Sequence, residues 1–290
     1  MFRSLLKTMR PRQWSKNVVV FAALVFDVKL FQIDPLLRTL AAFGLLCLLA
    51  STVYIINDLA DIDKDRNHPT KRFRPLAAGT LPKNAAIAAA AVCLALSLGG
   101  GFTLSWEFGS LALLYFVVNL LYSLWLKNVV ILDVLIVAAG FLIRVASGTV
   151  LFEVERFSPW LYVGMSLLSL FLILGKRRHE ITLLEQGANS HRAVLAHYNL
   201  ELLDHMIGIV TACAIIAYSF YTFTAENLPE DNSMMLTVPF VVYGIFRYLY
   251  LIHVKHEGGA PDELAFRDMP LLISAILWGI AVVAILYFFK

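Results

Sequence analysis

The stretch that decides the reading is NDLADIDKD, Asn57 to Asp65, which closes a long apolar run. At about 100° per residue on an α-helix, Asn57, Asp58, Asp61 and Asp65 fall within one arc of roughly 100°, and Asp63 points away. Four oxygen-bearing side chains so close together need a cation, because their carboxylates repel one another. Hard oxygen ligands in this pattern suit magnesium, which shares its coordination shell with substrate phosphates. The plainer reading is a solvated acidic helix end, with Asp65 or Asn67 capping a loop. Four such residues on one face at a membrane boundary favour a functional site, since ionisable groups there are expensive to keep.

The rest of the chain sets that boundary. Of 290 residues, 59% are hydrophobic and only 16% charged, too apolar for the surface of a soluble domain. A spanning helix needs roughly 20 mainly apolar residues. Nine runs qualify, at 17–31, 35–56, 84–98, 102–126, 130–151, 159–174, 200–224, 234–254 and 270–289, the first and third being short. Their length, continuity and richness in Leu and Ala select helices over strands. The expectation is an all-α, polytopic membrane protein with one integral membrane domain over 1–290, and with 1–16 as a basic amphipathic segment lying on the membrane. No small-residue cleavage site follows that segment, so it does not read as a removable signal peptide. Cys47, Cys93 and Cys213 fall inside apolar runs without ligand spacing, which argues against a disulfide framework. Low-complexity segments and strong internal repeats are absent from the sequence.

Basic residues cluster at the N-terminus (Arg3, Lys7, Arg10, Arg12, Lys16) and on every second loop. These loops hold Lys64 to Lys83, Lys127, Lys176 to Arg178 with Arg192, and Lys255 with Arg267. The alternate connections carry few cations: Gly99 to Gly101 has no charge, Glu153, Glu155 and Arg156 follow the fifth run, and Glu226, Glu230 and Asp231 follow the seventh. The positive-inside rule then places the N-terminus and the acidic helix end in the cytoplasm and Lys290 outside, in a multi-pass protein of the cytoplasmic membrane.

The segment RNHPTKRFRPLAAGTL, Arg66 to Leu81, sets Lys71, Arg72 and Arg74 beside the acidic helix end. Arginine binds two phosphate oxygens at once through its fork of donors, so metal and anion can be held together. The same charges also serve topology or anionic lipid.

The pattern NDxxDxxxD followed by a basic, proline-containing loop resembles the UbiA superfamily of intramembrane prenyltransferases, and the resemblance extends over nearly the whole chain. It implies nine transmembrane helices around a central cavity and magnesium-diphosphate held at the cytoplasmic side. Members that join a prenyl diphosphate to an aromatic ring carry a second acidic motif after the sixth helix. Here that place reads LGKRRHEITLLE, Leu174 to Glu185: Glu180 and Glu185 remain, but Lys176, Arg177 and Arg178 dominate. A basic site prefers a phosphate that arrives without its own metal. RPRQWSKN (Arg10 to Asn17), YSLWLKNVVILDV (Tyr122 to Val134) and FLIRVASG (Phe141 to Gly148) are similar to the branch that acts on decaprenyl phosphate and phosphoribosyl diphosphate.

That likeness implies a magnesium-dependent phosphoribosyltransferase that moves 5-phosphoribose onto a polyprenyl phosphate and releases diphosphate. Asn57, Asp58, Asp61 and Asp65 become the metal ligands, and Lys127 and Asp133 join the aspartates as catalytic candidates. Lys16, Lys71, Arg72, Arg74, Tyr122, Lys127, Arg144, Lys176 and Arg177 become phosphate-binding candidates. The partners are the sugar donor and the lipid acceptor, without nucleic acid; a homo-oligomer is compatible with the sequence.

Some residues read less sharply. Arg144 lies about two-thirds along the fifth run and shares a face with Asp133, Val137 and Gly140, roughly 16 Å of helix rise from Asp133. Either both face a polar cavity or Arg144 forms an interhelical salt bridge. His68 is placed to touch phosphate, while His179, His191, His197 and His256 read as loop residues. Arg192 and Tyr198, in HRAVLAHYN, match a family-like pattern with less weight. Two rival readings stand beside the first. An aromatic prenyltransferase of quinone or haem biosynthesis shares the fold and first motif but not the GKRRHE segment. A transporter would show paired broken helices in both halves, which this sequence lacks.

Overall fold

The computed structural model describes residues 1–154, 157–185 and 193–289. Those residues form helices and connections without strands. After α1 (Phe2–Met9) and a 3-10 segment (Pro11–Phe21) come α2 (Ala22–Phe26), α3 (Ile33–Ala60) and α4 (Ile62–Arg66). Next are α5 (Lys83–Leu104), α6 (Trp106–Leu124), α7 (Leu132–Thr149) and α8 (Pro159–Glu185). The chain ends with α9 (Leu200–Thr224), α10 (Val238–His253), α11 (Pro261–Arg267) and α12 (Met269–Phe288).

Eight helices among the described residues are long and apolar enough to cross a membrane, which makes this a multi-pass membrane protein. The expected span at 17–31 differs: it is the end of the 3-10 segment followed by the five residues of α2. Two sequence features explain this. Val18, Val19 and Val20 are β-branched and stiff at χ1, which lowers helix propensity, and the run is short, ending at Asp27 and Lys29. The count of nine long helices is therefore not reproduced; eight stand among the described residues. In the other direction, α8 runs eleven residues beyond the expected end at Leu174, because GKRRHEITLLE contains no proline and its charges pair along the helix. Arg177 donates to Glu180 three residues on, at 2.7 Å.

The chain divides into two compact units. The first comprises 1–24, 29–124 and 143–153. Its main packing is α3 against α5, with α6 on α5 and α1 on α3. One apolar cluster there gathers Val20, Leu46, Leu49, Phe108 and Tyr115; another gathers Met9, Ile55, Ile62, Leu76 and Leu81. Ser105 caps α6 by accepting the Phe108 N–H at 3.0 Å, which turns the chain sharply between α5 and α6. The second unit comprises 25–28, 125–142 and 154–290. Here α8 packs along α9, and Phe171, Leu174, Leu203, Ile207 and Tyr248 fill the core. Asn199 and Asp268 cap α9 and α12 by accepting from Leu202 and Leu271.

Candidate functional site

The acidic cluster lies in the first unit, where α3 gives way to α4. Asp61 is the junction, at φ −100° and ψ 12°, outside regular helix. The winding survives because Asp61 N–H donates to the Asn57 carbonyl (3.0 Å) and Asp65 N–H to the Asp61 carbonyl (2.8 Å). Asp58 and Asp65 therefore point the same way, and both are buried. Arg74 binds them together: its Nη1 lies 3.1 Å from Asp58 Oδ1 and 2.7 Å from Asp65 Oδ2. Arg10 adds a second guanidinium, with Nη2 2.6 Å from the same Asp58 oxygen and its plane 4.7 Å over the Tyr54 ring. Asp61 is half-exposed, 3.8 Å from Lys64 Nζ, and Asn57 is half-buried. Asp63 faces solvent and meets Arg66.

This donor set fits magnesium. One cationic nitrogen already sits between two carboxylate oxygens, and hard oxygens are what magnesium takes. No group of three or more Asp, Glu, His or Cys side chains gathers in metal-ligating geometry among the described residues. Magnesium is usually held by one or two carboxylates plus substrate phosphates.

The basic loop divides its labour. Arg74 turns inward, Arg72 is exposed and stacks on Phe73 at 4.9 Å, and Lys71 is half-buried in a short 3-10 turn. His68 Nδ1 accepts the backbone N–H groups of Thr70 (3.1 Å) and Lys71 (3.3 Å), so this nitrogen shapes the loop. Lys16 and Tyr122 are half-buried in the same unit. Arg144 is buried deeper, with Nη2 2.6 Å from the Tyr115 hydroxyl and its guanidinium 4.7 Å over that ring. It ties α7 to α6.

A second charged cluster lies in the other unit. Asp133, in the first turn of α7, is fully buried. Arg177 Nε donates to its Oδ2 at 2.9 Å, and the Tyr198 hydroxyl donates to its Oδ1 at 2.7 Å. That hydroxyl also accepts the Ile131 N–H at 2.7 Å. Burial first, then the Asp133 carboxylate, pushes the Tyr198 phenol up to about 12, so it stays a donor across the working pH range. Arg178 grips Asp204 with Nε (2.6 Å) and Nη2 (3.4 Å).

The KRR segment thus behaves differently from its expected role as an open basic site. Arg177 and Arg178 are turned onto carboxylates, and Lys176 is exposed. Asp133 holds its neighbours in place through both oxygens. Lys127, half-buried on the short 3-10 turn Leu126–Asn128, forms no ion pair among the described residues. Arg192, His191, Glu155, Arg156 and Lys290 lie outside the described residues, as does the side chain of Glu185. Sequence reasoning passed over Arg10 and Asp204 and gave Tyr198 little weight. The one available signal for Arg10 was its place at the head of RPRQWSKN.

Comparison with known proteins agrees with this architecture. The model of the UbiA prenyltransferase family matches residues 18–269. A decaprenyl-phosphate phosphoribosyltransferase of Mycobacterium tuberculosis is 32% identical, over 94% of this chain and 90% of that protein. The protein of the same name from Corynebacterium glutamicum is 33% identical, over 98% and 86%. The structure of a UbiA homolog from Archaeoglobus fulgidus bound to GPP and Mg2+ superposes with a TM-score of 0.72, covering 98% of this chain and 99% of that one at 18% identity, a likeness of fold. With helices, acidic helix end and basic loop in place, the chain belongs to the UbiA prenyltransferase family and is a membrane-embedded transferase.

Proposed function

We propose that this enzyme transfers 5-phosphoribose from phosphoribosyl diphosphate to a polyprenyl phosphate of the decaprenyl type, with magnesium, at the cytoplasmic face of the cytoplasmic membrane. The observation that carries the reading is the helix end where Asp58 and Asp65 share Arg74: carboxylates for a metal and guanidiniums for phosphate at one place. The choice of donor and acceptor is supported by the relatives that carry that activity in their names over nearly their whole length.

Asp58 and Asp65, with Asp61 and Asn57 beside them, would hold magnesium through one or two carboxylates together with the diphosphate, whose charge the ion would neutralise and whose departure it would assist. Arg74, between Asp58 and Asp65, would take diphosphate oxygens, stabilising charge as the bond from ribose C1 to the diphosphate oxygen breaks. An oxygen of the acceptor phosphate forms the new bond to C1 from the opposite face. That phosphate is already ionised at neutral pH, so no strong general base is required. Lys16, Lys71 and Tyr122, in the same unit, are candidates for the remaining phosphate contacts. An apolar cavity of about 480 Å³, lined by Leu40, Gly44, Leu45 and Leu104, offers room for isoprenoid chain.

The test is a transfer assay in membranes containing the protein, given ribose-labelled phosphoribosyl diphosphate and a polyprenyl phosphate. Label is expected in the lipid phase, dependent on magnesium. Lipid labelled only from a prenyl diphosphate and an aromatic acid overturns the reading.

A further inference from the structure

A cavity of about 260 Å³ lies beside the acidic cluster, with Lys7, Arg10, Asp58, Thr70 and Arg74 among its walls. It carries three cations for one carboxylate. Lys7 is exposed and forms no ion pair among the described residues. It is nonetheless well placed. Thr8 and Met9 are buried beside it, the Ser51 hydroxyl bonds the Met9 carbonyl at 3.2 Å, and Leu5 and Leu6 pack on the core below α3. The basic face of α1 is thereby fixed at the cavity rather than trailing as a loose tail.

Arg10 sits at φ 55° and ψ 62°, left-handed backbone that a residue with a side chain rarely adopts. It turns the chain between α1 and the 3-10 segment and brings its guanidinium to Asp58. Unfavourable backbone of this kind persists where the surroundings over-determine it, and such positions cluster at ligand clamps. Asp58 is shared by two guanidiniums, so Arg10 can exchange its carboxylate for another anion while Arg74 keeps the pair with Asp65.

We propose that Lys7, Arg10 and Thr70 form a subsite for a phosphate monoester that carries no metal, beside the carboxylates that would hold the metal of the diphosphate. This deepens the reading above and rests on it. Guanidinium, ammonium and hydroxyl donors around one small cavity are the chemistry that recognises a phosphate dianion. A volume of about 260 Å³ admits a phosphate and part of a pentose and excludes a long isoprenoid. The monoester can come from the sugar donor or from the head of the lipid acceptor.

The experiment titrates the purified full chain in nanodiscs with ribose 5-phosphate, and separately with farnesyl phosphate, both in EDTA. Binding of at least one is expected, weakened roughly tenfold by Lys7→Gln and by Arg10→Gln and unchanged by Lys83→Gln. Lys7 is exposed, so that variant keeps the test valid where Arg10→Gln fails to fold. Loss confined to ribose 5-phosphate assigns the subsite to the donor; loss confined to farnesyl phosphate assigns it to the acceptor. The proposal is overturned by binding that ignores both substitutions or by no binding of either probe. Should transfer from phosphoribosyl diphosphate fail altogether, the function above falls, while the monoester titration still tests the subsite independently.

Discussion

Tyr198 and Asp133 stand 65 residues apart in the chain and meet through a buried 2.7 Å hydrogen bond. The same hydroxyl accepts the N–H of Ile131, a β-branched residue at φ 70°. One side chain therefore pins both the unfavourable turn that starts α7 and the carboxylate two residues on. Tyr198→Phe strips Asp133 of a donor and leaves the Ile131 N–H without its acceptor, a loss of about 1–3 kcal/mol. Arg177→Met is harsher, about 3–5 kcal/mol, because a fully buried carboxylate loses its cation. The double variant Asp133→Leu/Arg177→Met should recover much of that loss. Thermal unfolding in detergent reads these variants together with Asp133→Leu alone, and strict additivity of Asp133→Leu and Arg177→Met in the double variant would rule out the coupling.

Asp61 gives a cleaner test of the proposed metal site than Asp58 does. It is half-exposed with only a 3.8 Å contact to Lys64, so Asp61→Ala should shift stability by no more than about 0.5 kcal/mol. It should still lower magnesium-dependent transfer on the order of 10²-fold. Asp58→Ala should abolish transfer and also lower the melting temperature, since Arg10 loses its carboxylate. Full activity in either variant sinks the metal assignment.

Asp268 makes a pH prediction. The hydrogen bonds from Arg247, at 3.0 and 2.7 Å, hold its carboxyl below the usual carboxylate range. A depressed pKa stabilises the fold above the unfolded value of about 4 and loses that contribution as pH falls through the folded one. Asp268→Asn keeps an acceptor for the Leu271 N–H and removes only the charge. Its melting temperature should start lower at pH 6 and fall less between pH 6 and 3 than that of the wild type. Parallel curves would show that the pair does not couple to folding.

Two glycines should respond in opposite ways. A Cβ at Gly148 would collide with the Val20 carbonyl oxygen, a backbone atom that cannot move alone. Gly148→Ala should cost at least about 1–3 kcal/mol. Gly279, inside α12, has nothing within 4 Å of the same position, and Gly279→Ala should stabilise by about 0.5–1 kcal/mol. Melting temperatures of the two variants compare them directly.

Hydropathy made most of the fold legible. The run at 200–224 coincides with α9, and those at 159, 270 and 84 begin within one residue of α8, α12 and α5. It misjudged 17–31, where apolar character is present but length and β-branching work against a long helix. It also stopped α8 at its first charges, although Lys, Arg and Glu continue a helix well. The acidic helix end was legible because its four members are close in sequence. The partners were not: Arg10 reaches Asp58 across 48 residues and Arg177 reaches Asp133 across 44. A charge in a loop reads as topology until the fold shows which carboxylate it meets.

The ion pairs at Asp58 have a consequence for how ligands must arrive. A divalent ion that takes Asp58 and Asp65 on its own strands two guanidiniums beside a cation, and a diphosphate on its own meets carboxylates that repel it. Arriving together, metal and diphosphate trade partners with the protein, carboxylate to metal and guanidinium to phosphate, so that no charge is left without a counterpart. On the proposed function, each ligand would then strengthen the other's binding by the same factor, and the helix end would act as an ion exchanger selective for the complex over either component.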